Sequence, residues 1–266
     1  MKIIEQNITG KINAETCEDG IVVTENHVAV IDGSTSKGAQ LYEGEKNGRV
    51  AMKVASFLIE CLDEECDVDF CMEILTQGIR AMYSKDSLAQ VTAHKEDRLT
   101  FSTAIYSRLR QEVWMIGDCQ VMVNGELYLN EKPTEQPMAE ERSRIIKEHI
   151  AEGMTTEEIL QEDPGRKAIM PMLLDSMAQQ QVSYAVVDGF PIPRKKVRVI
   201  NVPDGAEVVL ATDGYPFLKP TLAESEEALA HQLEIDPLMI GEFKATKAYM
   251  KGQNSFDDRA YVRFEN

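Results

Sequence analysis

Two hydrophobic periods alternate along the chain. Ile21 to Val23 and His27 to Ile31 are short apolar, β-branched runs separated by Thr24-Glu25-Asn26, a pattern that predicts a β-hairpin. From Asn47 to Glu64 the period lengthens, with Val50, Val54, Phe57, Leu58 and Leu62 at helical spacing. Phe70 to Tyr83 repeats it with Ile74, Leu75, Ile79 and Met82, so two amphipathic helices are expected to cover one sheet face. Phe101 to Leu109 and Glu112 to Val123 then read as neighbouring strands, followed by the turn signal Asn124-Gly125.

The texture changes between Met138 and Met177, which are rich in Glu, Arg, Lys, Ile, Leu and Met. This stretch reads as a helical insertion over about residues 138–178, with Thr155-Thr156-Glu157-Glu158 as a capping-box start inside it. Strands resume at Ser183 to Val187, Lys196 to Val202 and Glu207 to Thr212. A second capping box, Thr221-Leu222-Ala223-Glu224, opens a helix toward Glu234, and Arg259 to Phe264 is a last strand. No Pro-, Gly- or Ser-rich linker and no internal repeat divides the sequence, so residues 1–266 are expected to form one domain. Strand runs mixed with helix runs, without regular βαβ alternation, predict an α+β layered fold.

Charge narrows the function classes. Acidic side chains number 45 against 28 basic ones, a formal net charge of -17, which argues against a nucleic-acid partner because phosphate backbones are held by Lys and Arg fields. The one dense basic cluster, Arg194-Lys195-Lys196 with Arg198, is a candidate docking surface for an anionic partner. The apolar runs are only a few residues long, far short of the roughly 18 that suggest a membrane span. The start, MKIIEQNITGK, has polar residues where a signal peptide needs its apolar stretch, so a cytoplasmic location and no membrane partner are expected. Cys17, Cys61, Cys66, Cys71 and Cys119 form no Cys-x-x-Cys pair, which supports neither a zinc site nor a disulfide framework.

The chemistry is carried by acids at strand ends. Asp32-Gly33 follows Val28-Ala29-Val30-Ile31, Asp213-Gly214 follows Val208-Val209-Leu210-Ala211-Thr212, and Asp257-Asp258 precedes Ala260-Tyr261-Val262. Asp118, after Ile116-Gly117, lies in or at the end of another apolar strand. A carboxylate at the end of a buried strand is costly to desolvate unless something neutralises it. Several converging there would suit a hard divalent cation with oxygen ligands. Asp-Gly is also a turn dipeptide, and it occurs at Asp19, Asp32, Asp188, Asp204 and Asp213, so spacing alone leaves both readings open.

The ordered series Cys17-Glu18-Asp19, Val30-Ile31-Asp32-Gly33, Ser102-Thr103-Ala104, Gly117-Asp118-Cys119, Ala211-Thr212-Asp213-Gly214 and Asp257-Asp258 resembles the metal-dependent type 2C serine/threonine protein phosphatases, the PPM family. The resemblance covers residues 1 to about 130 and about 182 to 264. It implies two packed antiparallel β-sheets flanked by α-helices, with Mg²⁺ or Mn²⁺ in a cleft at one end: two ions, and a third, weaker one in some members. Carried over by position, Asp32 would bridge both metals and Gly33 would offer its carbonyl. Glu18, with Asp19 beside it, would face one ion, while Asp213 and Asp258 would hold the other. Asp118 would serve the third. Asp258 is preferred to Asp257 because it lies nearer the strand. The activity implied is hydrolysis of a phosphorylated protein at Ser or Thr, by in-line attack of a hydroxide bridging the metals.

Three departures bear on that activity. Where many members carry a phosphate-gripping Arg before the first acidic pair, this chain has Asn13-Ala14-Glu15-Thr16-Cys17; Lys37 and Arg49 are the substitutes at hand. Where some members carry an acid His after the bridging Asp-Gly, it has Ser34-Thr35. The usual Asp-Asn ending is Asp258-Arg259, and Arg259 could reach phosphate or pair with acidic neighbours. A PPM-like regulatory domain that binds a partner without turnover is therefore the competing expectation.

Overall fold

A computed structural model describes residues 1–266. Two five-stranded antiparallel sheets pack face to face. One runs β2 (Asp19–Val23), β3 (His27–Gly33), β4 (Phe101–Ser107), β5 (Glu112–Ile116), β8 (Arg198–Asn201). The other runs β1 (Lys2–Thr9), β10 (Arg259–Glu265), β9 (Glu207–Ala211), β6 (Gln120–Val123), β7 (Glu126–Tyr128). The expected hairpin is present, with Ile21 opposite Val30 and Asp19 opposite Asp32.

Strand alternation explains why β3 and β4 are apolar throughout. Val28, Val30, Ala104 and Tyr106 meet Leu210, Val262 and Phe264 between the sheets, while Ala29, Ile31 and Ile105 point the other way. That outer face is covered by α1 (Asn47–Glu60) and α2 (Val68–Ala81), which bury Ala51, Ala55, Ile59, Cys71, Leu75 and Ile79 at helical spacing. Each large side chain so buried stabilises the fold by roughly 1.5–3 kcal/mol. Phe57 falls off this stripe and is 65% exposed, and α1 stops at Glu60 rather than Glu64.

The largest departure from expectation is at residues 112–123. They form two strands, β5 and β6, that belong to different sheets. Gly117 makes the break: its φ is +96°, and a Cβ there would sit 2.2 Å from Ser102 Oγ, so only glycine turns the chain here. The step from one sheet to the other carries Asp118. Residues 183–187 make isolated bridges, Tyr184 to Gln180 and Val187 to Phe101, where a strand was expected. β1, β7 and the short helix α3 (Lys85–Ala93) have no counterpart in the sequence reading.

The helical stretch consists of α4 (Glu135–Ala151), α5 (Thr156–Gln161), α6 (Pro164–Ala168) and α7 (Met170–Ala178). Thr155 and Glu158 cap α5 reciprocally, and Thr221 and Glu224 do the same for α8 (Leu222–Ile235), as their spacing predicts. α4 holds Arg142, which is wholly buried and pairs with Asp163 at 2.8 Å. Its guanidinium also donates to the carbonyls of Leu238 (2.9 Å) and Ala245 (3.0 Å), which ties these helices to the segment leading into β10. No helix is long and apolar enough to cross a membrane.

Candidate metal centre

Three of the acids at the strand ends converge. Carboxylate oxygens of Asp32, Asp118 and Asp213 lie within 4.8 Å of one another. They come from the end of β3, the step between sheets and the residue just beyond Thr212 after β9. Burial pushes the Asp32 carboxyl well above the usual carboxylate range, and the charges of Asp213 and Asp118 push it further. Asp213 is raised in the same way, first by burial and then by Asp257 and Asp118. Asp118 behaves differently. Burial raises its carboxyl too, but Lys132 Nζ at 2.5 Å and the Ser102 hydroxyl, donating at 2.6 Å, hold it below its ordinary value.

Glu18 and Asp19 play unequal parts. Glu18 Oε1 is buried without a hydrogen-bond partner, while Oε2 accepts from the Thr35 hydroxyl and lies 3.4 Å from Lys46 Nζ. Asp19 is buried and accepts from Thr212 Oγ1 at 2.6 Å. That hydroxyl accepts in turn from the Ala260 amide at 2.8 Å, so Asp19 ties β2 to the opposite sheet. Gly33 lines the same cavity as Asp32 and Asp213. A Cβ on it would fall 2.3 Å from the Gly48 carbonyl and 2.6 Å from that of Glu18, so no side chain fits.

The two acids before β10 divide their work, and not as their order along the chain suggests. Asp258 accepts from the backbone amides of Lys11 (2.7 Å) and Glu18 (3.3 Å) and pairs with Lys11 Nζ at 3.1 Å. Asp257 is the carboxylate whose charge acts most on Asp213. Burial raises its own pKa, but Lys247 and Lys11, the latter at 3.2 Å, bring it down to about 2. Both acids line the cavity, but the chain bends at Asp257, and nearness to the strand picks out the acid engaged by the Lys11 and Glu18 amides rather than the one whose charge acts most on Asp213.

Of the three candidate phosphate contacts, the structure brings only Lys37 to the cavity. Arg49 donates to the carbonyls of Ala14 and Cys17 and pairs with Glu45 at 3.3 Å. Arg259 forms a two-pronged pair with Glu226, at 2.8 and 2.7 Å. In the basic cluster, Arg194 pairs with Asp69 and Arg198 donates to the Leu129 carbonyl while lying over Tyr128. The cavity's other cations are Lys11, Lys132, Arg166 and Lys247, and no local spacing marks any of them.

The donors fit a divalent cation. They are all oxygens, two of the three clustered carboxyls are raised by burial and then by mutual repulsion, both of which a cation would offset, and Glu18 Oε1 is an orphaned buried acceptor. Burying like charges this close is unfavourable without a counter-ion.

No protein-family model matches the sequence, and no curated protein does. Solved structures do resemble it. The catalytic domain of the serine/threonine protein phosphatase PstP in complex with two manganese ions superposes with a TM-score of 0.50, over 98% of this chain and 96% of that one, at 14% identity. The Mycobacterium tuberculosis phosphatase PstP/Ppp gives 0.48 at 14% identity, over 99% of this chain and 98% of that one. PppA, described as a regulatory component of the type VI secretion system in Pseudomonas aeruginosa, gives 0.49 at 8% identity, over 100% and 99%. At such identities the likeness is one of fold: the chain has the two-sheet α+β fold of the metal-dependent PPM phosphatases.

Proposed function

We propose that this chain is a single PPM-type domain that hydrolyses phosphate monoesters with Mg²⁺ or Mn²⁺, acting on phosphoserine or phosphothreonine of a protein. The observation that carries the reading is the convergence of Asp32, Asp118 and Asp213 in a fold shared with such phosphatases. Asp32, Asp118, Asp213 and Asp257 would hold the ions, with Glu18 Oε1 and the Gly33 carbonyl at hand. Divalent ions held there supply an acidified water as nucleophile and neutralise phosphoryl charge.

The chain's own residues do the rest. Ser102 and Lys132 keep Asp118 ionised. Asp258 fixes the backbone of Lys11 and Glu18 and so sets where Glu18 points. No histidine lines the cavity, so no imidazole is at hand to protonate the leaving alcohol. A second cavity of about 390 Å³ shares Lys132, Glu135, Asp213 and Lys247 with the first, which gives the alcohol part of a substrate a place to lie.

One observation favours the alternative of a regulatory, non-hydrolytic domain: Lys132 pairs with Asp118, and Lys11 and Lys247 pair with Asp257, so part of the acidic charge is already neutralised from within. Hydrolysis of an aryl phosphate with Mn²⁺ decides between them. Turnover that needs Mn²⁺ and is lost in both Asp32→Ala and Asp213→Ala supports the enzyme; a folded protein inert with every divalent ion supports the regulatory domain.

A further inference from the structure

The cavity over the acids is about 150 Å³ and is polarised. Its floor holds the strand-end carboxylates Asp32, Asp213, Asp257 and Asp258, with Lys11 and Lys132 already paired to acids there. Lys37, Arg166 and Lys247 stand on its other walls, from the segment after β3, from α6 and from the segment before β10. In a chain with 45 acids to 28 bases, two of these cations have no acidic partner. Lys37 Nζ donates only to the Thr35 carbonyl (2.7 Å), and Arg166 Nη1 to that of Thr246 (2.9 Å). Lys247 is shared with Asp257.

Their positions are held by the buried network. Asp163 accepts from the Arg166 amide at 2.8 Å through one oxygen and pairs with Arg142 through the other. Arg142 in turn grips the carbonyls of Leu238 and Ala245. The Arg166 side chain completes the link by binding Thr246, next to Lys247. α6 and the segment before β10 therefore present their cations as one unit. The cations also crowd each other: burial pushes the Lys37 ammonium down to about 7, with Arg166 and Lys247 as the next contributors. Gathered like charges, two of which lack a counter-ion, are stabilised by an anion between them.

We propose that Arg166, Lys37 and Lys247 form the phosphoryl-oxygen grip of this cleft, so that the helices at 135–178 supply, through Arg166, the phosphate contact that the segment before Glu18 lacks. The inference rests on the hydrolase reading for its substrate, and on the cavity walls alone for its anion. A guanidinium beside two ammonium groups suits the equatorial oxygens of a phosphate ester, since Arg binds two oxygens at once and Lys acts as a point charge. It also answers the problem of approach: the net field repels a phosphorylated substrate, and the attraction is confined to the mouth of the site.

The test is calorimetric titration of inorganic phosphate into Mn²⁺-treated wild type, Arg166→Met and Lys37→Met, with Mn²⁺ titrated separately into each. Each substitution is expected to weaken phosphate about tenfold or more and to leave Mn²⁺ affinity within about twofold. Lys37 lies outside the Arg142 network, so its variant decides the matter if Arg166→Met does not fold. Phosphate affinity within about twofold of wild type in the folded variants overturns the grip, as does a wild type that binds no phosphate. Phosphate binding that depends on Arg166 in a protein that turns over no ester supports the grip and overturns the hydrolase instead.

Discussion

The floor and the roof of the cleft handle buried charge in opposite ways. On the floor, Asp32, Asp118 and Asp213 crowd within 4.8 Å, and burial and mutual repulsion raise two of them. In the roof, formed by the helices between Glu135 and Ala178 that also line the cavity, Arg142 is more deeply buried than Asp32 or Asp213, but it meets Asp163 and two carbonyls. The roof's charge is satisfied by the protein itself, whereas on the floor Lys132 answers only Asp118, and Asp32 and Asp213, which have no ion pair, call for something from outside. Instability concentrated in one small region of an otherwise well-packed sandwich marks that region as the place where a ligand is expected.

The largest expected effect breaks the floor's chemistry. Asp32→Ala should lower Mn²⁺-dependent hydrolysis of an aryl phosphate by about a thousandfold or more, roughly 4 kcal/mol of barrier. Activity within tenfold of wild type would show that the cluster is not the reaction centre. The roof should respond in stability: Arg142→Ala leaves Asp163 buried and unpaired, at a cost of about 3–5 kcal/mol, read as a fall in the urea midpoint. A change under 1 kcal/mol would mean that the network is dispensable.

The sign should reverse on the floor. In metal-free protein, Asp32→Asn removes one of the repelling charges while keeping the shape, and is expected to raise stability by about 1–2 kcal/mol as it abolishes Mn²⁺ binding. A destabilised variant would contradict the account of the floor as strained. The smallest effect lies outside both regions. His27 is buried beside Trp114, and burial lowers its pKa. As pH falls below about 6.5, the unfolded chain takes up the proton before the native one, so stability declines by at most about 1.4 kcal/mol per pH unit until the native imidazole also titrates. His27→Gln should show a shallower loss between pH 7.5 and 5.5; equal slopes would remove His27 from the account.

Legibility in the sequence divides along the same line. Asp32, Asp118 and Asp213 stand out because each ends an apolar β-branched run, a local signal, and the capping boxes of α5 and α8 are equally local. The choice between Asp257 and Asp258 depended on side-chain direction after an irregular segment, which spacing does not encode. Arg166, Lys11 and Lys247 reach the cleft through contacts between distant segments: Lys11 and Asp257 are 246 residues apart, and Arg166 and Thr246 are 80. A solvated surface lysine and a cleft lysine look the same in one sequence. The break at Gly117 was hidden for a different reason: the apolar run resumes at Val121 after only four residues, so Gly117 to Gln120 reads as an interruption within one strand rather than a change of sheet.

That break has a mechanical consequence. Asp32 belongs to one sheet, Asp213 follows a strand of the other, and Asp118 sits on the strip of chain joining them. An ion held there by the three would therefore act as a rivet through both leaves of the sandwich. Slippage of one leaf past the other would have to shear it, and loading the site would slow amide hydrogen exchange in β3 and β9 together, although no hydrogen bond of the ladders links those two strands.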